Sequence, residues 1–530
     1  MRGKDSLTAI AKDYFEILAE NFPVMCSSDE FYFFPRVEEA ERFSNRLDSL
    51  DRARIEELTR KVKKLFHSLG RLGPQGELEK KIDADILKRS MKTFLRDFEE
   101  IPVWKSDPNL YLRIVLFGLA DYFQGRINHL SPGRMEAVPR LLREARENIK
   151  DASPVHLEVA QEAVKTGAEF LRIISRKTPA LSSLSQKAAN ALKEFGIFLG
   201  GLDGRTDFRQ GRDVLKSILQ DTYGWQQDLG AVLDMGKKEE KDAGKECKRM
   251  ARQIHSDKSW LELVDGYRLK LMKGRELLTL YRREVNQLKM FLHDKDIISL
   301  PEEESLLILN TPPYLAPLRS SASYCAPLVP GEKALFYVRT FYRDWEAESR
   351  NEVHKEYLFI SAHETYPGHH LLDLRRRTLS PIRRQIESPL FYEGWASYSE
   401  HLIQELGYCE HPVQKLIGKK RQLWRAVRAI LDVSIHTGKM SIEEAKSRLI
   451  KIGYNSRVSS QQVRHYVLTP GYQFTYMLGK NELLKLRNRL SPYLGLKGFH
   501  DFLMDSGEVP FHWIEERYHA LSKEERTTRH

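Results

Sequence analysis

Arg54 to Leu69 reads RIEELTRKVKKLFHSL, with an apolar side chain at every third or fourth position. Ile55, Leu58, Val62, Leu65 and Phe66 fall on one stripe of a helix, and Lys and Glu occupy the opposite side. Gly70, followed by Gly73 and Pro74, ends it. The same period covers 139–150, 154–175, 183–198, 211–222 and 260–292, so the chain from Ser6 to about Leu300 is a succession of amphipathic helices. Few runs alternate as strands do, and neither a solenoid repeat nor a low-complexity tract interrupts them.

The composition changes near Pro301. Thr311 to Val338 (TPPYLAPLRSSASYCAPLVPGEKALFYV) holds five prolines and cannot be one continuous helix. Within it Ala334 to Thr340, rich in aromatic and branched side chains after Pro330-Gly331, is the best strand candidate. Helical period resumes after Asp344 and runs to the C-terminus, broken at Ser380-Pro381, His411-Pro412, Gly453 and Pro470-Gly471. The expected fold is mainly α, a large multi-helix, two-lobed structure with a small β element near 334–340. Residues 1–300 form an N-terminal helical lobe and 301–530 the second lobe.

The 530 residues carry 85 Lys and Arg against 74 Asp and Glu, a net charge of +11. The excess is interleaved with acids, as in Lys237 to Lys248 (KKEEKDAGKECK), with no block of like charge, so a nucleic-acid partner is not expected. The longest apolar runs, Ile114–Ala120 and Phe195–Leu202, are under ten residues where a bilayer span needs about 20. No membrane span is expected. Met1 to Glu20 is too charged for a secretory signal, which makes the cytoplasm the expected location. Four scattered cysteines, Cys26, Cys247, Cys325 and Cys409, suggest free buried thiols rather than disulfides or a zinc cluster.

The chemistry concentrates in Ser361 to Leu372, SAHETYPGHHLL. His-Glu opens the zinc-peptidase pattern HExxH, in which histidines at i and i+4 share a helical face and bind one metal, with Glu as general base. Here Pro367 stands at i+4, and the next histidines are His369 and His370. On a regular helix His369 would lie roughly 9 Å along the axis from His363 and face away. Pro367 offers no N–H to the carbonyl of His363, and Gly368 tolerates backbone angles other residues avoid, so the helix must bulge or unwind after Tyr366. That break swings His369 back to His363. His370 is then an outer partner, or the ligand in its place. A kinked helix with capping histidines is the bland alternative.

A third ligand comes from Phe391 to His401, FYEGWASYSEH. Glu393 follows His369 by 24 residues, enough for a loop and a return helix. Glu400, seven further on, shares its face and suits a position behind a ligand histidine. The expected set is His363, His369 and Glu393 around one Zn2+, with Glu364 as base and His370 and Glu400 as outer partners.

These two motifs resemble the domain-of-unknown-function family numbered 885, whose hallmark is approximately HExYPGHH followed by EGWAxYxE. The resemblance extends through Leu423 to His436 (LWRAVRAILDVSIH) and Thr469 to Arg487 (TPGYQFTYMLGKNELLKLR). It implies a helical, metal-dependent, peptidase-like protein. The motif order is also similar to that of the gluzincin-like thimet oligopeptidase and carboxypeptidase Taq groups, helical zinc peptidases with a deep central cleft. The chain departs from the family pattern at His465, where Arg is usual, and at Tyr472, where Gln is usual.

On 423–436 Arg425, Arg428, Asp432 and His436 form a polar stripe on an otherwise apolar helix. It is either a buried charge network or a grip for a peptide carboxylate, the role expected of Arg425 and Arg428. Tyr472 and Tyr476, four apart, can face one cleft. Tyr476, at a family position, is the expected oxyanion donor, with Tyr472 and His465 as further substrate contacts. The expected activity is hydrolysis of small peptides, with Ala334–Thr340 pairing to the substrate. A non-catalytic metal-binding scaffold and a hydrolase of non-peptide amides or esters are the alternatives. End preference, oligomeric state and physiological role are not written in these motifs.

Overall fold

In a computed structural model the described residues are 6–72, 76–123, 132–269, 274–302, 305–312, 319–329, 331–340, 351 and 353–528, with the side chains of 121–123, 274 and 523–528 set aside. The described residues are mainly helical, with one three-stranded sheet among them. The stretch read first forms α1, Arg52–Arg71, capped by the Asp51 side chain accepting from the Arg54 N–H. Ile55, Leu58 and Val62 are buried along its stripe, and Leu65 and Phe66 pack partly buried against the core. Among the described residues no helix is long and apolar enough to cross a membrane.

Other helices follow the period with adjusted ends: Gly133–Asn148, Pro154–Lys177 and Ser182–Gly200. The stretch 260–292 is not one helix. Trp260–Gly266 stops before an extended Tyr267, and Gly274–Lys295 begins anew. A 26-residue helix, α2, Leu229–Ile254, stands where the sequence showed mainly charge; it packs along Pro412–His436.

Three strands form the sheet: β1, Leu306–Asn310, β2, Ala322–Cys325, and β3, Ala334–Val338. Their order is β1-β3-β2, with β1 parallel and β2 antiparallel to β3. The expected strand is therefore present and ends at Val338. Both its edges are taken, by β1 and β2, so it cannot receive a substrate strand; along the outer side of β2 the Tyr324 N–H and the Ala322 and Ala326 carbonyls are already bonded to side chains.

The remaining elements carry the site: α3, Tyr357–Glu364; α4, His369–Arg376; α5, Pro389–Glu405; α6, Pro412–His436; α7, Ser456–Leu468; and α8, Thr475–Ser506, kinked at Gly495. One hydrophobic cluster extends from Ile10 to Ile514 and takes in α3, α5, α6 and α8. Gly394 of α5 and Gly479 of α8 meet where these helices cross, and a Cβ on Gly479 would lie 2.0 Å from the Leu390 carbonyl oxygen. This close approach brings Glu393 to the tyrosines at the start of α8.

Candidate metal centre

The helix bearing His363 ends at Glu364, two residues sooner than Pro367 alone required. The chain then turns through Thr365 to Gly368, with the Gly368 N–H donating to the Ala362 carbonyl and the Leu371 N–H to Thr365. A Cβ on Gly368 would stand 1.9 Å from the His363 carbonyl oxygen, so only glycine fits. Trp395 of α5 pins the turn from outside, its indole N–H donating to the Pro367 carbonyl at 2.8 Å. The break reverses the phase of the helix and sets the two imidazole rings 4.7 Å apart between centroids.

His363, His369 and Glu393 each offer one ligand atom, all within 4.8 Å of one another. From Glu393 Oε2 to Nε2 is 3.3 Å for His363 and 3.6 Å for His369. Neither approach has hydrogen-bond geometry, and Oε2 is a buried carboxylate oxygen without a partner among the described residues. Glu393 Oε1 is differently placed. It accepts from the hydroxyls of Tyr472 and, at 3.0 Å, Tyr476. The three ligand side chains are buried, 4 to 8% exposed, whereas Glu364 and Tyr476 are half-buried.

Glu400 stands behind His363, with Oε1 3.0 Å from Nδ1. It is held by two arginines: Arg421 donates from Nε and Nη2 at 2.8 and 2.7 Å, and Arg425 from Nη1 at 2.8 Å and from Nη2. Arg421 also pairs with buried Glu356. The carboxylate expected for Arg425 is thus supplied inside the chain. Arg428 bonds the Gln473 side chain and lies over the Tyr476 ring at 3.8 Å. Asp432 caps the α8 approach, accepting from the Gly471 and Gln473 N–H groups at 3.0 and 2.7 Å.

Burial lowers the affinity of His363 for a proton, but its contacts with Glu393 and Glu400 outweigh this and carry its pKa up to about 9. Burial, opposed by His363 and His369, leaves the Glu364 carboxyl above its ordinary value. Its Oε2 accepts from the Tyr324 N–H of β2 at 2.8 Å. His370 turns away from the cluster, with Nδ1 3.3 Å from the Tyr324 hydroxyl. His465, on α7, feels the charge of Glu393, but burial, Arg428 and Arg113 outweigh it and hold its pKa down to about 4.

Several residues of the site were not among those expected. Arg421 lies one turn before Arg425 and extends the same stripe, a signal available from the 3.6-residue period. Tyr392 stacks on His369 at 3.8 Å and 10°, and adjoins Glu393 in the motif. Nothing local marks Tyr324 or Glu356.

With this geometry in view, the chain is similar along 97% of its length to a candidate lipoprotein of unknown function from Shewanella oneidensis, 19% identical, covering 99% of that chain at a TM-score of 0.76. A candidate lipoprotein from Colwellia psychrerythraea is 16% identical, with 97% and 100% of the two chains covered and a TM-score of 0.76. These likenesses show the fold. No curated protein matches. The pattern of the bacterial proteins of unknown function designated DUF885 matches residues 37–517, and the chain belongs to that family.

Proposed function

We infer that this chain is a zinc-dependent peptidase acting on short peptides. One observation carries the reading: buried Glu393 Oε2 lacks a hydrogen bond while two imidazole Nε2 atoms stand 3.3 and 3.6 Å from it. Ligands about 2.0–2.1 Å from zinc in a tetrahedron are about 3.3–3.4 Å from each other, so the spacing suits a shared cation better than it suits hydrogen bonds. Two histidines and one carboxylate also match the donor set of a catalytic zinc with a position left open.

Zinc held there supplies Lewis acidity, which activates a water near neutral pH and polarises a carbonyl. Glu364 is placed to take the proton of that water and return it to the leaving amine. The Tyr324 N–H fixes one of its oxygens, and its raised proton affinity suits both halves of the transfer. Tyr476 serves the oxyanion by leaving Glu393 Oε1, which Tyr472 continues to hold. An extended peptide lies beside β2, next to Glu364, without pairing to it as a strand, because the Tyr324 N–H is engaged by Glu364.

One observation favours a second reading, a metal-holding scaffold without turnover: the ligands are almost closed to solvent. The partial exposure of Glu364 and Tyr476, the two groups that must meet substrate, favours the enzyme. Protein purified without added zinc should contain one equivalent and hydrolyse components of a mixed peptide library in a chelator-sensitive way. Glu364→Gln should keep the zinc and lose at least about 10²-fold in rate. Zinc without turnover on peptides supports the scaffold; turnover confined to other amides or esters changes the substrate class. A cytoplasmic location belongs to the same proposal, and recovery of the chain as a lipid-modified membrane protein, in line with the description of the two solved relatives, would replace it.

A further inference from the structure

One helical turn beyond His369, about 6 Å along α4, Asp373 lines a cavity of about 130 Å3 that is walled largely by arginine. Arg36, Arg376, Arg377 and Arg384 all border it, the first two only 5% exposed. Asp373 receives Arg376 at 2.6 Å and Arg377 at 3.1 Å. Glu38 lies 2.6 Å from Arg384, and Glu387 is shared by Arg376 and Arg36, the latter at 3.6 Å. Glu508, 3.6 Å from Arg376, is held above the usual carboxylate range by burial. Arg36 Nε has no hydrogen-bond partner among the described residues. Buried guanidiniums with a donor left unused are served by an added carboxylate, which takes charge-assisted hydrogen bonds from them.

The cavity is joined to the metal centre through Tyr324. Its N–H holds Glu364, and its hydroxyl donates to Asp373 Oδ2 at 3.0 Å. The chain that leaves β2 supplies the opposite wall at Pro327, Leu328 and Val329. From Tyr324 to Pro327 is three residues, roughly 10 Å of extended chain. A peptide lying along β2 with its scissile bond at Glu364 thus reaches the arginines within a few residues.

We propose that this cavity is the pocket for a carboxylate of the peptide substrate. The orientation of the peptide rests on the peptidase reading; the binding of a carboxylate does not. Two sources correspond to two strand directions. A C-terminal carboxylate enters when the substrate runs parallel to β2, and an acidic side chain on the N-terminal side of the scissile bond enters when it runs antiparallel.

Four peptides separate these: acetyl-tetra-alanine as free acid and as amide, and acetyl-Glu-Ala-Ala-Ala and acetyl-Gln-Ala-Ala-Ala, both as amides. Hydrolysis by the zinc-loaded full chain is compared with that by Arg377→Gln and Arg384→Gln, whose side chains are 33% and 28% exposed and so tolerate change better than Arg36 or Arg376. One carboxylate-bearing peptide should exceed its neutral counterpart at least tenfold in kcat/KM, and each variant should remove most of that advantage, read as the ratio of the two peptides within the same variant. Calorimetric binding of the same peptides to Glu364→Gln, alone and combined with each Arg variant, reads the pocket without turnover. Carboxylate-dependent binding lost in the Arg variants, with no hydrolysis by the parent chain, upholds the pocket and overturns the peptidase. Equal kcat/KM for all four peptides overturns the pocket and upholds the peptidase. A carboxylate preference that persists in both variants also overturns the pocket.

Discussion

Gly479→Ala tests whether the α5–α8 crossing sets the metal centre. The added Cβ would lie 2.0 Å from the Leu390 carbonyl oxygen and 2.7 Å from Gly394 Cα, where ordinary contact begins at 3.4 Å. The helices must part by about 1.4 Å along the tighter line, judged by van der Waals contact. The Tyr476 hydroxyl, 3.0 Å from Glu393 Oε1, is then carried beyond the reach of a hydrogen bond, about 3.5 Å. Overpacking costs about 1–3 kcal/mol. Losing one or both hydroxyl bonds to a buried carboxylate adds about 1.5–3 kcal/mol each. Urea unfolding should therefore show a loss of about 2.5–6 kcal/mol with one bond lost and about 4–9 kcal/mol with both, a large share of a typical stability. Competition with a chromophoric chelator should show zinc held about 10- to 100-fold more weakly. Gly498→Ala, on the same helix, is the control, because its Cβ would meet only Leu494 at 3.5 Å. Stability within about 0.5 kcal/mol of the parent and unchanged zinc affinity in Gly479→Ala would refute the reasoning.

His363→Ala and His369→Ala should each lose most of the metal, while His370→Ala, which removes a partner of Tyr324 instead, should retain it; metal analysis of the three purified variants decides. Tyr476→Phe should slow peptide turnover about 10²- to 10³-fold, the usual effect of removing an oxyanion donor, with zinc content unchanged; parent-like kcat would hand that role to Tyr472 or His465. Without metal His363 has a pKa raised to about 9, so the proton it gains stabilises the metal-free fold most fully below about 6.5 and is lost as pH rises through about 9. Zinc requires the neutral ring, so uptake at pH 7 should release at least one proton and tighten about tenfold per pH unit up to about 9; calorimetry in buffers of different ionisation enthalpy measures the release, and none would contradict the ligand role of His363.

The helices were legible where a stripe of large apolar residues faced the core, as in α1. They were not where the buried face is made of small residues. Along α2 the buried positions keep a helical spacing, but Gly236, Ala243, Cys247 and Ala251 are small and stand among many charges. β1 was missed because LLILN is a plain apolar run with neither alternation nor aromatic residues, unlike β3, and β2 because its four residues lie in a proline-rich stretch. The metal-centre candidates were legible because their chemistry is local: His-Glu, a Pro-Gly break and a Glu 24 residues on. The partners joined only by folding were not. Tyr324 reaches Glu364 across 40 residues and Arg421 reaches Glu400 across 21.

The two glutamates of α5 show how the fold divides one helix face into two electrostatic environments. Glu400 accepts from Arg421 and Arg425, and Arg421 also meets Glu356, so two cations offset two buried anions. Saturated in this way, Glu400 stays ionised well below the usual carboxylate range despite its burial. Glu400 Oε1 at 3.0 Å and Arg425 Nη2 at 3.4 Å both meet His363 at Nδ1, which leaves Nε2 directed at Glu393. Glu393, seven residues earlier on the same face, has only tyrosine hydroxyls on Oε1, neutral donors that orient it without offsetting its charge. Its other oxygen faces the Nε2 atoms of His363 and His369 at 3.3 and 3.6 Å without hydrogen-bond geometry to either. In the metal-free protein the deficit is met by a proton on His363. A divalent cation there would meet it better, because it would satisfy one carboxylate oxygen and both ring nitrogens at once, which a proton on a single ring cannot do.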